Sequence, residues 1–460
     1  AAAAGAASAA VTPQAREAGV DDDEYAAPPE EASSLRSQPV AEEDPAAADD
    51  AAETGADAGA PPAVGTAGAG AAADARGGQK PLVRALYAAA TSAGGSSMAT
   101  SDRQLSRPNQ DAYFARPSES GLVVGVLDGH GGTHGAIASQ AAAHAMESWF
   151  ESPRNSQRLI SDAQGALANL FLDGHVAVLD AIGRATGTVD HAGKWSSGGE
   201  EVDSLVSTPL DPKSKLPAEG GTTATVVALV DGHLLLIAHV GDSDAVLGGE
   251  SVDGGDVSAE KLTSDHTPCS VGEYRRTRAL GHDDLQFIYD CPTAELLHVF
   301  AVDEQTGDVE LSDEAAEQAD LRGVGYKSVR AERPALVIAP PPEGGEVAPR
   351  LAVTRSLGDP YLQTCGLTWK PEVTLLDLNE PASSLEPLVL IVGSDGLWDL
   401  FAYDEAIEEV LGSGHDLTTQ DGVSAACEQL LATTKTKGEE LLGSSTDDTT
   451  VMVISFVKNQ

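Results

Sequence analysis

Short acidic motifs at the ends of apolar runs constrain this chain more than any other feature. Five of them lie between residues 109 and 448: Asn109-Gln110-Asp111, Asp128-Gly129-His130-Gly131-Gly132, Gly241-Asp242-Ser243, Ser394-Asp395-Gly396 and Asp447-Asp448. Four of these abut a run of Val, Ile and Leu, which predicts strand ends gathered on one rim of a sheet. Carboxylates crowded on a rim raise one another's pKa unless cations hold them. Hard oxygen donors with no Cys or His cage suit Mg²⁺ or Mn²⁺. The pattern points to a pair of divalent ions held by distant stretches of polypeptide.

Composition separates two regions. Residues 1–95 are dominated by Ala, Gly, Asp, Glu and Pro and offer little to bury, so they are expected to be a disordered acidic tail. Residues 96–460 are rich in β-branched and Leu runs and suffice for one large core. The 72 acidic residues against 28 basic ones give a formal net charge of −44. That balance disfavours nucleic acid and anionic lipid as partners. An anionic substrate then needs local positive charge, which bound metal ions would supply. Cys269, Cys291, Cys365 and Cys427 form no CxxC pair and fit a reducing compartment. No membrane span is expected, and the Ala-rich opening lacks the pattern of a secretory signal. A monomer in the cytoplasm or nucleus is the expectation.

Along the chain, Leu122–Leu127 predicts a strand ending at Asp128, and a helix follows to about Phe150. A single long helix is expected over 156–186 and a loop or insertion over 190–218. The apolar runs Thr222–Val230 and His233–Val240, joined by Asp231-Gly232, predict a hairpin. Residues 281–350 are polar and Pro-punctuated, an insertion or flap that gates substrate. Strands are expected at Leu388–Val392 and Thr449–Phe456, and helices at Asp404–Leu411 and Asp421–Leu431. Antiparallel signals dominate. The fold class is α+β, with helices covering stacked antiparallel sheets.

Taken in order, the motifs resemble the metal-dependent protein phosphatases, the type 2C serine/threonine family. The resemblance runs through Asn109-Gln110-Asp111, Val126 to Gly132, Gly221 to Ala224, Val240 to Ser243, Ser264-Asp265-His266, Thr354 to Asp359, Gly393 to Asp399 and Asp447-Asp448. It implies a four-layer αββα sandwich of two antiparallel sheets flanked by helices. It implies hydrolysis of phosphoserine and phosphothreonine in phosphoprotein substrates by a hydroxide bridging two Mg²⁺ or Mn²⁺ ions, without a phosphoenzyme. By the same resemblance Asp128 bridges the ions, Asp395 and Asp447 complete one sphere, the Gly129 carbonyl joins the other, and Asp111 acts through water. Asp242 and Asp399 match positions associated with a third, weaker ion. His130 matches the proton donor to the leaving oxygen, and Arg107 is the nearest match to a phosphate-binding arginine. The chain departs from the family pattern at Gln110, at Ser106 and at Asp244, where the family has Glu, Arg and Arg.

The plain chemistry agrees with this. Two divalent ions acidify water and clamp both oxygens of an in-line displacement, so no protein nucleophile is needed. Asp231-Gly232-His233 repeats the letters of Asp128-Gly129-His130 inside a hairpin turn, which shows how little one Asp-Gly means. The Thr354–Asp359 motif is expected to shape the rim of the cleft rather than take part in chemistry. Cys269 to Arg275 fits the C-x₅-R spacing of cysteine-dependent phosphatases, but Glu273 within it would repel a phosphate dianion. The competing readings are a catalytically inactive phosphatase-like binding or scaffold module, and an enzyme for small phosphoesters.

Overall fold

The computed structural model describes residues 83–94, 108–118, 121–132, 134–186, 220–291, 296–303, 305–342, 345, 347–443 and 446–458. Arg107, the 190–218 stretch and the tail as far as residue 82 lie outside the described residues.

Two five-stranded sheets form the centre. The first runs in the order Glu372–Asp377, Leu234–Val240, Ala224–Val230, Gly121–Leu127 and Ala112–Ser118, antiparallel throughout. The second runs Val83–Ser92, Thr449–Lys458, Leu385–Gly393, Asp244–Ser251 and Val257–Lys261, again antiparallel. Side chains alternate across each strand. From the Thr449–Lys458 strand, Met452, Ile454 and Phe456 enter the core between the sheets, while Val451 and Val453 meet the helices behind it. Both faces of the central strands are buried, which explains their unbroken apolar runs.

Helices Gly135–Trp149 and Ala163–Thr186 cover the first sheet, packing Met146, Leu167, Leu170 and Phe171 on Val226 and Leu236. The second of these is long and apolar enough to cross a membrane by composition, yet half of that stretch is buried against the sheet. Helices Tyr403–Leu411 and Gln420–Leu442 cover the second sheet, packing Ile407, Val423 and Leu430 on Val389, Ile391 and Val453. Each such side chain stabilises the fold by about 1.5–3 kcal/mol on burial. The result is α+β in four layers, helix–sheet–sheet–helix.

The Asp231-Gly232 hairpin forms as expected, with both residues at positive φ (53° and 69°). Three expectations need correction. The folded region reaches back into the expected tail, because Val83–Ser92 pairs residue for residue with Thr449–Lys458. Its alanines carry little strand preference, so the pattern did not read as a strand. The long helix over 156–186 is two helices, Pro153–Ser161 and Ala163–Thr186. Asp162 leaves helical geometry (φ −155°, ψ 67°) between them and its carboxylate accepts the Gly165 N–H at 3.1 Å. The last helix continues past Leu431 to Leu442, since Thr434 and Gly438 occupy its inward face where apolar residues would have marked it.

Residues 281–350 carry a core of their own. Leu285, Phe287, Tyr289, Phe300 and Val337 cluster there, with the Tyr274 ring 4.6 Å from that of Phe300 and 5.2 Å from that of Phe287.

Candidate active site

Strand register decides where the acidic motifs go. In the first sheet Ala112 pairs with Leu127 and Ala224 with Val240, so Asp111, Asp128 and Asp242 emerge at one rim. In the second sheet Gly393 pairs with both Val451 and Asp244, which brings Asp395 and Asp447 to a common rim beside Asp242. Carboxylates separated by hundreds of residues therefore interact directly. Asp128 feels the charges of Asp111, Asp395 and Asp447 and shares a hydrogen bond with Asp395.

Backbone approach is close around Asp128. Its N–H donates to Thr223 Oγ1 at 3.0 Å, and its carbonyl accepts from the Thr223 N–H at 2.8 Å and from Thr222 Oγ1 at 2.9 Å. Gly129 donates its N–H to the Gln110 carbonyl at 3.1 Å. A Cβ at Gly129 would lie 2.3 Å from the Gly135 carbonyl oxygen and 2.5 Å from that of Gln110, so only glycine fits. Asp448 is the tie: its carboxylate accepts the Gln110 and Gly94 N–H groups, each at 2.7 Å. Ser394 Oγ donates to Asp111 Oδ2 at 2.8 Å.

Burial, followed by mutual repulsion, sets the protonation of these acids. Burial raises Asp128 well above the carboxylate range, with Asp111, Asp395 and Asp447 adding to it. Burial lifts Asp111 to about 7 despite the Ser394 and Thr450 hydrogen bonds. Asp395 rises to about 6 through burial, held down by the nearby Lys327 ammonium. Asp399 rises to about 8 through burial and the charge of Asp395.

Among the described residues, no three His, Cys, Asp or Glu side chains are already drawn into a metal cage. The Lys327 ammonium stands beside three of the acids, Asp242, Asp395 and Asp399. The donor chemistry nevertheless fits hard divalent ions. The donors are all oxygen, and Asp111 Oδ1 and Asp395 Oδ1 are buried with no hydrogen-bond partner among the described residues.

A small three-stranded sheet builds the second half of the site: Gly129–His130, Gly221–Thr222 and Leu357–Gly358. Gly221 stands between His130 and Gly358 in register. Across it, His130 Nε2 meets Asp359 Oδ2 at 2.7 Å. Asp359 takes a left-handed backbone (φ 48°) and also accepts from Ser356 Oγ at 2.6 Å. The preceding Gly358 N–H donates to His175 Nδ1 at 3.0 Å. Burial opposes the charged form of His130, but the charge and hydrogen bond of Asp359 outweigh it and raise its pKa above the ordinary histidine value. Asp359, expected only to shape the rim, is thus a direct partner of the imidazole. Its sequence signal was weak because a Gly-Asp-Pro run reads as a turn.

Glu273 anchors the segment that carries Asp359. It accepts from Thr354 Oγ1 at 2.9 Å, Arg355 Nε at 3.0 Å and Arg276 Nε at 3.0 Å. Burial works against its charge, yet hydrogen bonds from Arg355 and Arg276 hold it down at about 2. Inside the C-x₅-R stretch Glu273 is therefore a structural node, and burial pushes the Cys269 thiol up to about 11. That thiol is no thiolate nucleophile.

Lys327 is the residue no motif suggested. Its Nζ lies 3.3 Å from Asp242 Oδ2, 3.8 Å from Asp395 Oδ2 and 3.8 Å from Asp399 Oδ1. Burial disfavours its charge, but those three carboxylates raise its pKa well above the usual lysine value. Beside the acids opens a cavity of about 470 Å³, lined by Asp242, Asp395, Asp399, Lys327, Arg330 and Arg333 among others.

Carboxylates converging on one rim of a two-sheet αββα sandwich define the class of protein. The family profile described as Protein phosphatase 2C matches residues 88–311 and 331–438, and the chain belongs to that family. Probable protein phosphatase 2C 34 of Oryza sativa subsp. indica is 27% identical over 322 residues, 69% of this chain and 66% of that protein. Probable protein phosphatase 2C 35 of Arabidopsis thaliana is 26% identical over 326 residues, 70% of this chain and 72% of that one. This chain thus spans 66% of the length of the rice relative. Among solved structures, serine-threonine phosphatase 2C from Toxoplasma gondii aligns over 82% of this chain and 98% of its own, at 18% identity and a TM-score of 0.46.

Proposed function

We propose that this chain hydrolyses phosphoserine and phosphothreonine in proteins, using two Mg²⁺ or Mn²⁺ ions. The observation that carries the reading is the convergence of buried Asp111 with the half-buried Asp128 and Asp395, beside Asp447, on one rim, with the His130–Asp359 pair next to them. Asp111, Asp128, Asp395, Asp447 and the Gly129 carbonyl would hold the ions. When bound, the ions supply water acidified enough to attack phosphorus and positive charge for the phosphoryl oxygens.

The remaining work falls to the chain. The phosphorus–oxygen bond to the serine or threonine breaks as water oxygen adds to phosphorus, and the leaving alkoxide needs a proton. His130 is suited to give it, since the Asp359 carboxylate favours the protonated imidazole and orients it. Burial of Asp359 and its bond to Ser356 fix that orientation before substrate arrives. No side chain becomes phosphorylated. The preference for protein substrates rests on family membership.

A phosphothreonine peptide and an aryl phosphate, each assayed with Mn²⁺ and then with EDTA, test the reading. Turnover of the peptide with Mn²⁺, its loss in EDTA, and an unchanged rate in Cys269→Ser are expected. Activity that persists in EDTA and disappears in Cys269→Ser would overturn it, and a folded, Mn²⁺-loaded chain with no turnover would favour a binding module.

A further inference from the structure

Lys327 lies in residues 312–330, the stretch between the two parts of the chain that match the family profile. Its position is fixed by a loop fastened to the end of the short Asp395–Trp398 helix. The Val329 N–H donates to the Asp399 carbonyl at 2.9 Å, and the Arg330 guanidinium donates to the carbonyls of Trp398 and, at 3.1 Å, Phe401. The same guanidinium stacks 4.8 Å over the Tyr403 ring. Within the loop the Lys327 N–H donates to the Glu332 carbonyl at 2.8 Å, Ser328 Oγ donates to Glu332 Oε2 at 3.1 Å, and Ala331 takes a positive φ of 60°. Six contacts thus aim one ammonium into a group of three acids.

We propose that Lys327 is a tethered counter-cation, its ammonium occupying the seat between Asp242, Asp395 and Asp399 that a further divalent ion would need. The site then holds two divalent ions and no third, and the loop that carries Lys327 reaches the three acids through this side chain. The inference rests on the phosphatase reading for the two ions themselves.

Geometry carries the argument. A divalent ion bonded to Asp242 and Asp399 would need oxygens at roughly 2.0–2.6 Å. The Lys327 nitrogen already stands 3.3 and 3.8 Å from oxygens of those same carboxylates, so ion and ammonium would claim one space and repel. Unlike a weakly bound ion, a tethered charge stays in place whatever the metal concentration. Lysine also suits the task as a compact point charge with three donors, where a planar guanidinium would not fill the same volume.

Mn²⁺ binding to the full chain, followed by electron paramagnetic resonance of the free ion up to millimolar concentration, tests this without reference to activity. Wild type is expected to take two ions and no more. Lys327→Met, which keeps length and loses charge, is expected to take a third, and Asp399→Asn added to it is expected to abolish that third ion. Circular dichroism confirms that each variant is folded. Three ions in wild type would overturn the proposal with no variant needed, as would a folded Lys327→Met that still takes two. A wild-type count of zero would instead overturn the phosphatase reading, and this inference with it.

Discussion

His130 and Asp359 are 229 residues apart in the chain and 2.7 Å apart in the fold. Gly221 pairs with His130 on one side and with Gly358, the neighbour of Asp359, on the other. The contact turns a motif of loop residues into part of the chemistry, and it makes the protonation of His130 depend on a carboxylate that no metal ion would hold.

Replacing Asp359 with Asn should therefore act through His130. Loss of the partner charge lowers the imidazole pKa, so the protonated acid disappears at a lower pH. The alkaline limb of the kcat–pH profile should move to lower pH, and kcat for a phosphothreonine peptide should fall about 10²-fold or more. KM should change little. An aryl phosphate, whose leaving group needs less help, should lose much less. Equal losses on both substrates would show that Asp359 serves only the fold.

Gly221→Ala reaches the same pair by another route. A Cβ there would stand 2.2 Å from Asp359 Oδ2 and 2.7 Å from the Leu357 carbonyl oxygen, so Asp359 must shift. The kcat–pH profile should resemble that of Asp359→Asn while Mn²⁺ affinity stays near wild type. A profile identical to wild type would rule out the crowding argument.

Glu273 gives the fold an acid sensitivity of its own. Its folded-state value of about 2 lies below the ordinary 4.5, so its stabilisation is complete above pH 4.5 and is lost as pH falls through about 2. The contribution is on the order of 3 kcal/mol at neutral pH, at 1.36 kcal/mol per pKa unit. In Glu273→Gln, urea midpoints should drop at pH 7 and converge with wild type near pH 2. Parallel curves across that range would contradict the assignment.

Activity and stability should part company at Asp128. Its folded pKa is raised, so the folded state prefers the protonated form and the charged form costs stability as pH climbs from the ordinary carboxylate value upward. Asp128→Asn should abolish turnover, by 10²-fold or more. In EDTA at pH 8 its Tm should exceed that of wild type by roughly 2–4 °C, the effect of about 1 kcal/mol in a large domain. A lower Tm than wild type would mean that the carboxylate is an anchor rather than a strained ligand.

Much of this protein was legible in its residues. Runs such as Leu388–Val392 marked strands buried on both faces, Asp231-Gly232 marked a hairpin, and the acidic motifs marked one rim, because side-chain periodicity and turn chemistry are local properties. Val83–Ser92 escaped, since alanines become a strand only when a ten-residue partner is already waiting at Thr449–Lys458. Asp359 and Lys327 escaped for a related reason: each acquires its meaning from a charge that the chain brings near from far away. Sequence determined which residues end strands and which donors suit a divalent ion. Tertiary structure alone decided which acid faces His130 and which faces an ammonium, because electrostatic partnership depends on distance in space, and register and loop docking set that distance.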